Sequence, residues 1–292
     1  MVKRSVLLWR SRRSNYHGDK YDETETRRRG DCDLKRTVFA YPYTVWMLVF
    51  ILSPMFLIVY YTFSGSEGFT VSHLMMAARW NNLVILLDSI RLALYTTLIS
   101  LLLGYPVAYL LSLMKKSTAA LLSVFFIVPM WMNFLLRTYA WKVLLGAFSS
   151  FLYSEAAVLL GMVYNFLPFM ILPIYTILMK LDRSYIEAAN DLGADGWTTF
   201  IKVVLPLSLP GVISGVTMVF IPSTTTFAIS QLLGGGKTML YGDLIYMKFI
   251  TERAWSAGSA LSIILLVFVM LSMAVMRRAE RSSTDTGGGR LW

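Results

Sequence analysis

The chain has 292 residues, 56% of them hydrophobic and only 15% charged, with a net charge of +10 and a mean hydropathy of +0.59. Soluble domains carry about 25% charged residues, so this composition excludes an ordinary soluble fold, a disordered chain and a small secreted scaffold. One cysteine, Cys32, excludes an intramolecular disulfide and any cysteine-based metal cage.

Residues 1–36 hold 11 of the Lys and Arg residues. They are too charged, and their apolar run VLLW too short, for a signal peptide. They read as a basic, disordered cytoplasmic tail held at an anionic leaflet rather than on nucleic acid. Six long windows without a single charge follow: Thr37–Ser66, Leu92–Met114, Ser117–Leu136, Ala156–Met179, Val203–Gly236 and Ala254–Met276. A bilayer core about 30 Å thick needs roughly 20 residues of helix, and each window reaches that length. Val143–Ser154 is too short to span. Val203–Gly236 is read as one span plus a flanking loop, because it contains Pro206, Pro210, Pro222 and the run Gly234–Gly236. The runs are continuously apolar, as in IILLVFVML at 263–271. That favours helices over the alternating strands of a membrane barrel. Residues 37–276 are therefore expected to form an all-α integral membrane domain of six transmembrane helices, followed by a cytoplasmic tail, 277–292.

With the N-terminus placed inside, 20 of the 27 Lys and Arg residues fall inside and 7 outside. This bias predicts both termini in the cytoplasm of a multi-pass inner-membrane protein. None of the six windows carries an ionisable group, which argues against a gradient-driven secondary carrier. It argues equally against a membrane enzyme built on carboxylates or a metal. The two histidines, His17 and His73, have no metal-ligand spacing, and GxSxG and HExxH are absent. No catalytic residue, metal or cofactor is assigned to this chain. The segment GGGKT at Gly234–Thr238 lacks the first glycine of a phosphate-binding loop, since Gln231 stands there. It is read as an external loop. Gly211 and Gly215 in the fifth span form a small-xxx-small pair suited to close helix packing.

The longest charged interruption between spans is Lys180–Lys202, KLDRSYIEAANDLGADGWTTFIK. Asp182 or Ser184 can cap a helix start. Tyr185, Ala188, Ala189 and Leu192 share one helical face, and Glu187, Asn190 and Asp191 lie off it. Gly193 is placed to end the helix in a left-handed cap. Asp195 can start a second short helix, and Pro206 sets the beginning of the next span. Spacing alone allows either a rigid surface helix with a slim face for a partner's groove or an amphipathic helix on the lipid headgroups.

Glu187–Ala188–Ala189, Gly193, and Val203-x-Leu205–Pro206 resemble the EAA-x3-G-x9-I-x-LP motif of the MetI-like permeases of ABC importers, with Val203 in place of the usual Ile. The stretches 103–112, 127–145, 167–211 and 232–245 are similar to the spermidine/putrescine, PotB-type branch of that family, and the resemblance covers roughly residues 38–276.

The resemblance implies a five-helix MetI-like core with one additional span and a cytoplasmic coupling helix. Coupling to an ATPase would fall to Glu187, Ala188, Ala189, Asp191 and Gly193. The chain would act as a transport subunit, not an enzyme, paired with a second homologous permease (PotC type). A cytosolic ATPase dimer (PotA type) would bind ATP and Mg, and an external substrate-binding protein (PotD type) would deliver the cargo. The cargo implied is a polyamine, while iron, phosphonate and other small solutes are carried by permeases with the same loop. A polyammonium ion needs oxygen acceptors and aromatic faces. Trp131, Asn133 and Tyr139 near the outer end of span 3, Tyr164 and Asn165 in span 4, and Asp243 after span 5 are the pathway candidates. Interface belts account better than substrate contact for the aromatic ones. Arg137 would repel a polycation and is expected to snorkel or pair with a loop.

Overall fold

The computed structural model describes residues 41–65, 68–147 and 151–288, with side chains to Glu280. The basic tail at 1–36, with Cys32, lies outside the described residues. The chain divides into two compact units, Met1–Leu57 and Ile58–Trp292. The described part of the first unit is the opening of helix α1, Tyr41–Phe63. Every side chain from Tyr41 to Leu57 is exposed, and Trp46 packs on Phe50 one turn on, with ring centroids 4.9 Å apart. A helix apolar on all sides is suited to lipid or to another chain.

The second unit holds the end of α1, a two-stranded hairpin (β1, Ser64–Gly65; β2, Gly68–Phe69) and the short α2, Ser72–Ala77. There follow α3 (Trp80–Leu113), α4 (Lys116–Trp131), α5 (Phe134–Gly146), α6 (Glu155–Lys180), α7 (Ser184–Asp191) and α8 (Gly196–Thr199). A π-helical turn, Phe200–Val204, joins α8 to α9, Leu205–Thr225. Then come α10 (Ala228–Gly234), α11 (Tyr241–Tyr246), a second π turn at Met247–Thr251, and α12 (Trp255–Gly288). Among the described residues, five helices are long and apolar enough to cross a membrane: 41–63, 80–113, 155–180, 196–225 and 255–280. A sixth span exists if α4 and α5, bent by 93° at their junction, cross as one broken helix.

That bend corrects the reading of 117–136 as a single straight span. Pro129 lies in the last turn of α4, and Met132 is extended with ψ 148°. Asn133 then starts a new helix, its Oδ1 accepting the Leu135 N–H at 2.9 Å and the Leu136 N–H at 3.4 Å. The side-chain cap replaces the helical bonds lost at the break. Helix α3 begins 12 residues before the charge-free window, and at 34 residues it is about 51 Å long. Its charges are held where it overhangs: Arg91 pairs with Glu155 of α6 at 2.9 Å and approaches Asp88 at 3.6 Å. The expected loop after span 5 contains a further helix, α10.

Helix α6 is the hub of the core. Met162, Met170, Ile171 and Ile174 are fully buried among Leu92 and Ala108 of α3, Val219 of α9, and Ile229 and Leu233 of α10. Glycines allow the approach. A Cβ on Gly211 would sit 3.1 Å from the Ile174 Cα, and one on Gly215 2.8 Å from Met170 Sδ and 3.2 Å from its carbonyl oxygen. The Gly211–Gly215 pair thus forms the α6–α9 seam. A buried hydrogen bond of 2.8 Å between the Tyr105 hydroxyl and Ser208 Oγ ties α3 to α9. A smaller core gathers Leu86 of α3, Tyr241 and Leu244 of α11, and Ala260 and Leu261 of α12.

Candidate functional site

The segment between α6 and α9 folds as its residues direct. Asp182 Oδ1 accepts the Ser184 N–H at 3.0 Å and starts α7. At the other end, Gly193 N–H reaches the Asn190 carbonyl at 2.9 Å and Ala194 N–H the Ala189 carbonyl at 3.0 Å. Gly193 sits at φ +83°. These two bonds and the left-handed glycine make a Schellman cap. Asp195 then caps α8 through the Thr198 N–H at 3.3 Å, and the Thr198 side chain, with the backbone N–H behind it, holds its carboxyl below its ordinary pKa.

No residue of α7 is fully buried. Ile186 and Ala189 are half-buried and turn towards the bundle, while Tyr185, Glu187, Ala188, Asp191 and Leu192 are exposed. Leu192, at 89% exposure, is the barest large apolar side chain among the described residues. Behind α7 lies a pocket of 380 Å³ lined by Ser112 and Lys116 at the α3–α4 junction and by Arg183, Ile186 and Glu187. The α3–α4 junction and α7 therefore share one end of the bundle.

The π turn connects this exposed device to the core. Leu205 N–H bonds to the Phe200 carbonyl five residues back, which opens the turn where the Pro206 ring would otherwise press on a preceding carbonyl. The start of the span is thus set by a wide turn inside one continuous helix, and Pro206 does not break it. The Phe200 ring stacks on exposed Trp197 at 5.9 Å and meets Tyr109 at 5.0 Å and Tyr105 at 5.8 Å. A row of rings runs from the surface to the Tyr105–Ser208 bond.

The pathway candidates separate. Trp131 (85% exposed) and Tyr139 lie on the outside of the fold, and Asn133 is the α5 cap. Tyr164 stands edge-on to Trp141 at 5.2 Å. Asn165 is buried, its Nδ2 donating to the Gly161 carbonyl at 2.8 Å and to Thr138 Oγ1 at 3.5 Å. Arg137 is buried, with Nε lacking a hydrogen-bond partner among the described residues. Asp243 stands apart from the others. Helix α9 is about 30 Å long, so α10 and α11 lie at the opposite end of the bundle from α7. There Asp243 Oδ2 accepts the Leu240 N–H at 2.9 Å, and its Oδ1 is buried near Ser230 and Gln231 but makes no hydrogen bond among the described residues. Burial raises its pKa, opposed by Ser230, the Leu240 N–H and Gln231. The element is pinned from behind, with Tyr241 N–H donating to Ser89 Oγ of α3 at 2.7 Å. Gly235 and Gly236, with φ +56° and +81°, turn the chain after α10, and Gly235 lies against the Tyr153 ring. The glycine run of GGGKT serves this turn. Sequence reasoning missed Phe200 and the Phe227–Tyr246 stack (5.1 Å, 14°), because neither carries a charge or a motif.

Residues 100–284 match the family described as "Binding-protein-dependent transport system inner membrane component". The chain is 35% identical over 261 residues to the spermidine/putrescine transport system permease protein PotB of Escherichia coli, covering 81% of this chain and 94% of the relative. It is 36% identical over 259 residues to the protein of the same name from Haemophilus influenzae, covering 81% and 91%. The fold is similar to a chain of the bacterial ABC transporter involved in import of the acidic polysaccharide alginate (TM-score 0.63, 16% identity, 87% of this chain and 97% of that chain). It is also similar to a chain of the inward-facing MetNI methionine ABC transporter (TM-score 0.54, 17% identity, 68% and 94%).

Proposed function

Since the chain belongs to the family of binding-protein-dependent transport system inner membrane components, we propose that it carries polyamines and that α7 is the element through which an ATPase drives it. It is a multi-pass inner-membrane permease subunit of an ABC importer, and not an enzyme. Importers of this kind work with an ATPase and a binding protein. The polyamine reading is supported by the spermidine/putrescine permeases to which the chain is similar over four-fifths of its length. On that reading the partners are a PotC-type permease, a PotA-type ATPase that binds ATP and Mg, and a PotD-type binding protein. The α7 end faces the cytoplasm, as the Lys and Arg bias indicates.

The observation that carries the coupling role is the Schellman-locked α7. It presents Tyr185, Ala188 and Leu192 to solvent and is joined to the core through Phe200. On the exposed face the small Ala188 allows a partner to come close, while Ala189 seats the helix on the bundle. The stroke of the ATPase would move α7 and α8 as one piece. Phe200 would transmit the displacement to Tyr105 and Tyr109 of α3, and the Tyr105–Ser208 bond would carry it to α9. Helix α6, seated on both, would repack along its glycine seams.

The test is reconstitution with the partner subunits, comparing spermidine, putrescine and a neutral solute for stimulation of ATP hydrolysis. Stimulation by the polyamines is expected, and stimulation by the neutral solute alone would refute the cargo. Glu187→Lys is expected to lower stimulated hydrolysis by about tenfold or more by reversing a charge at a contact. Membrane levels should stay normal, because Glu187 is exposed and its side chain makes no ion pair among the described residues. Undiminished stimulation in that variant would remove Glu187 from the interface.

A further inference from the structure

We propose that the pocket between α10 and α11 holds one ammonium group of the cargo, with Asp243 as its counter-charge; this rests on the polyamine reading above. The pocket measures 280 Å³ and is lined by Ser230, Gln231, Thr238, Asp243, Tyr246 and Thr251, with the thioethers of Met239 and Met247 beside them. Asp243 is its one charged lining residue. Of the neighbouring cations, Lys248 is bonded to Glu252 at 2.7 Å, and Lys237, between the lining residues Gly236 and Thr238, is exposed and is not itself part of the lining.

Three features suit a primary amine. A buried carboxylate oxygen with no partner is costly and calls for a cation or a donor, and among the described residues Asp243 Oδ1 is such an atom. Hydroxyl and amide oxygens around it can accept the remaining ammonium protons. Tyr246, stacked on Phe227, offers an aromatic wall, and the methionines can pack the methylene chain. The site is also placed to receive cargo. It lies at the end of the bundle remote from α7, and its floor is fixed to α3 by the Tyr241–Ser89 bond. A movement of α3 would therefore shift Asp243 relative to α10. Tight binding in one state and release in the other need only that displacement.

The experiment measures uptake kinetics of spermidine and putrescine in proteoliposomes holding the complete importer. Asp243→Asn keeps an acceptor for the Leu240 N–H but removes the charge. It is expected to raise KM by about tenfold or more, with a larger change in KM than in maximal rate, and Asp243→Glu should recover most of the loss. Thr251→Lys, at an exposed lining position, puts a tethered ammonium in the pocket and should raise KM likewise. If Asp243→Asn fails to assemble, Thr251→Lys decides alone. Wild-type KM in the assembled variants would overturn the site and leave the polyamine reading standing. A wild-type importer indifferent to polyamines would overturn both.

Discussion

Gly193→Val is expected to abolish uptake while leaving insertion into the membrane normal. Gly193 holds φ +83° at the end of α7, and a Cβ there would meet nothing within 4 Å. The requirement is therefore conformational and not steric. A left-handed conformation costs an L-residue about 1–2 kcal/mol, which is about tenfold in population, and a β-branched residue more. The Schellman bonds from Gly193 and Ala194 would open, and the last turn of α7 would lose its fixed direction. Because the cause is backbone preference, the variants should rank by tolerance of this conformation: Asn retaining most activity, Ala less, Val least. Transport assays on the reconstituted importer, with immunoblots of membrane fractions, check the order. A ranking by side-chain volume, with Ala ahead of Asn, would contradict the argument. The exposed position of the cap predicts that all three proteins fold.

The second large effect is expected from Gly211→Val combined with Gly215→Val, and there folding itself should fail. A Cβ at 211 would press on the Ile174 Cα at 3.1 Å, and one at 215 on the Met170 carbonyl oxygen at 3.2 Å. The Met170 sulfur can swing away, but backbone atoms of α6 cannot without parting the two helices. Overpacking costs about 1–3 kcal/mol at each site, and the two strain the same seam. The double variant should show much reduced levels in the membrane and a lower melting temperature in detergent. Single Gly→Ala changes should be milder. Wild-type thermal stability in the double variant would show that the α6–α9 seam is not tightly closed.

Much of this architecture was legible in the sequence because lipid demands long uncharged helices, and charge-free windows mark them. The α7 device was legible for a different reason. Asp182, Gly193 and Asp195 each satisfy a local backbone requirement that no tertiary contact overrides. The 93° bend was hidden because hydropathy does not register a break inside an apolar run. Its marks, Pro129 and the cap at Asn133, are single polar or cyclic residues that straight spans also contain. The early start of α3 was hidden by Asp88 and Arg91, whose charges are answered by each other and by Glu155 across the fold. Among the pathway candidates, residue type alone could not separate Asn133, used as a cap, from Asp243, whose inner oxygen has no partner among the described residues. That distinction is a property of burial.

The wide turn at Phe200–Val204 also bears on how this segment tolerates a change of length. A π turn is an α-helix holding one surplus residue, so removing a residue from it would let the backbone relax to ordinary winding. The flanking pieces, Gly196–Thr199 and Leu205–Thr225, would keep nearly the same angular phase. A deletion further along α9, between Leu207 and Val219, has no such slack and would swivel everything preceding it by about 100°, turning Trp197 and Leu192 to a different compass point.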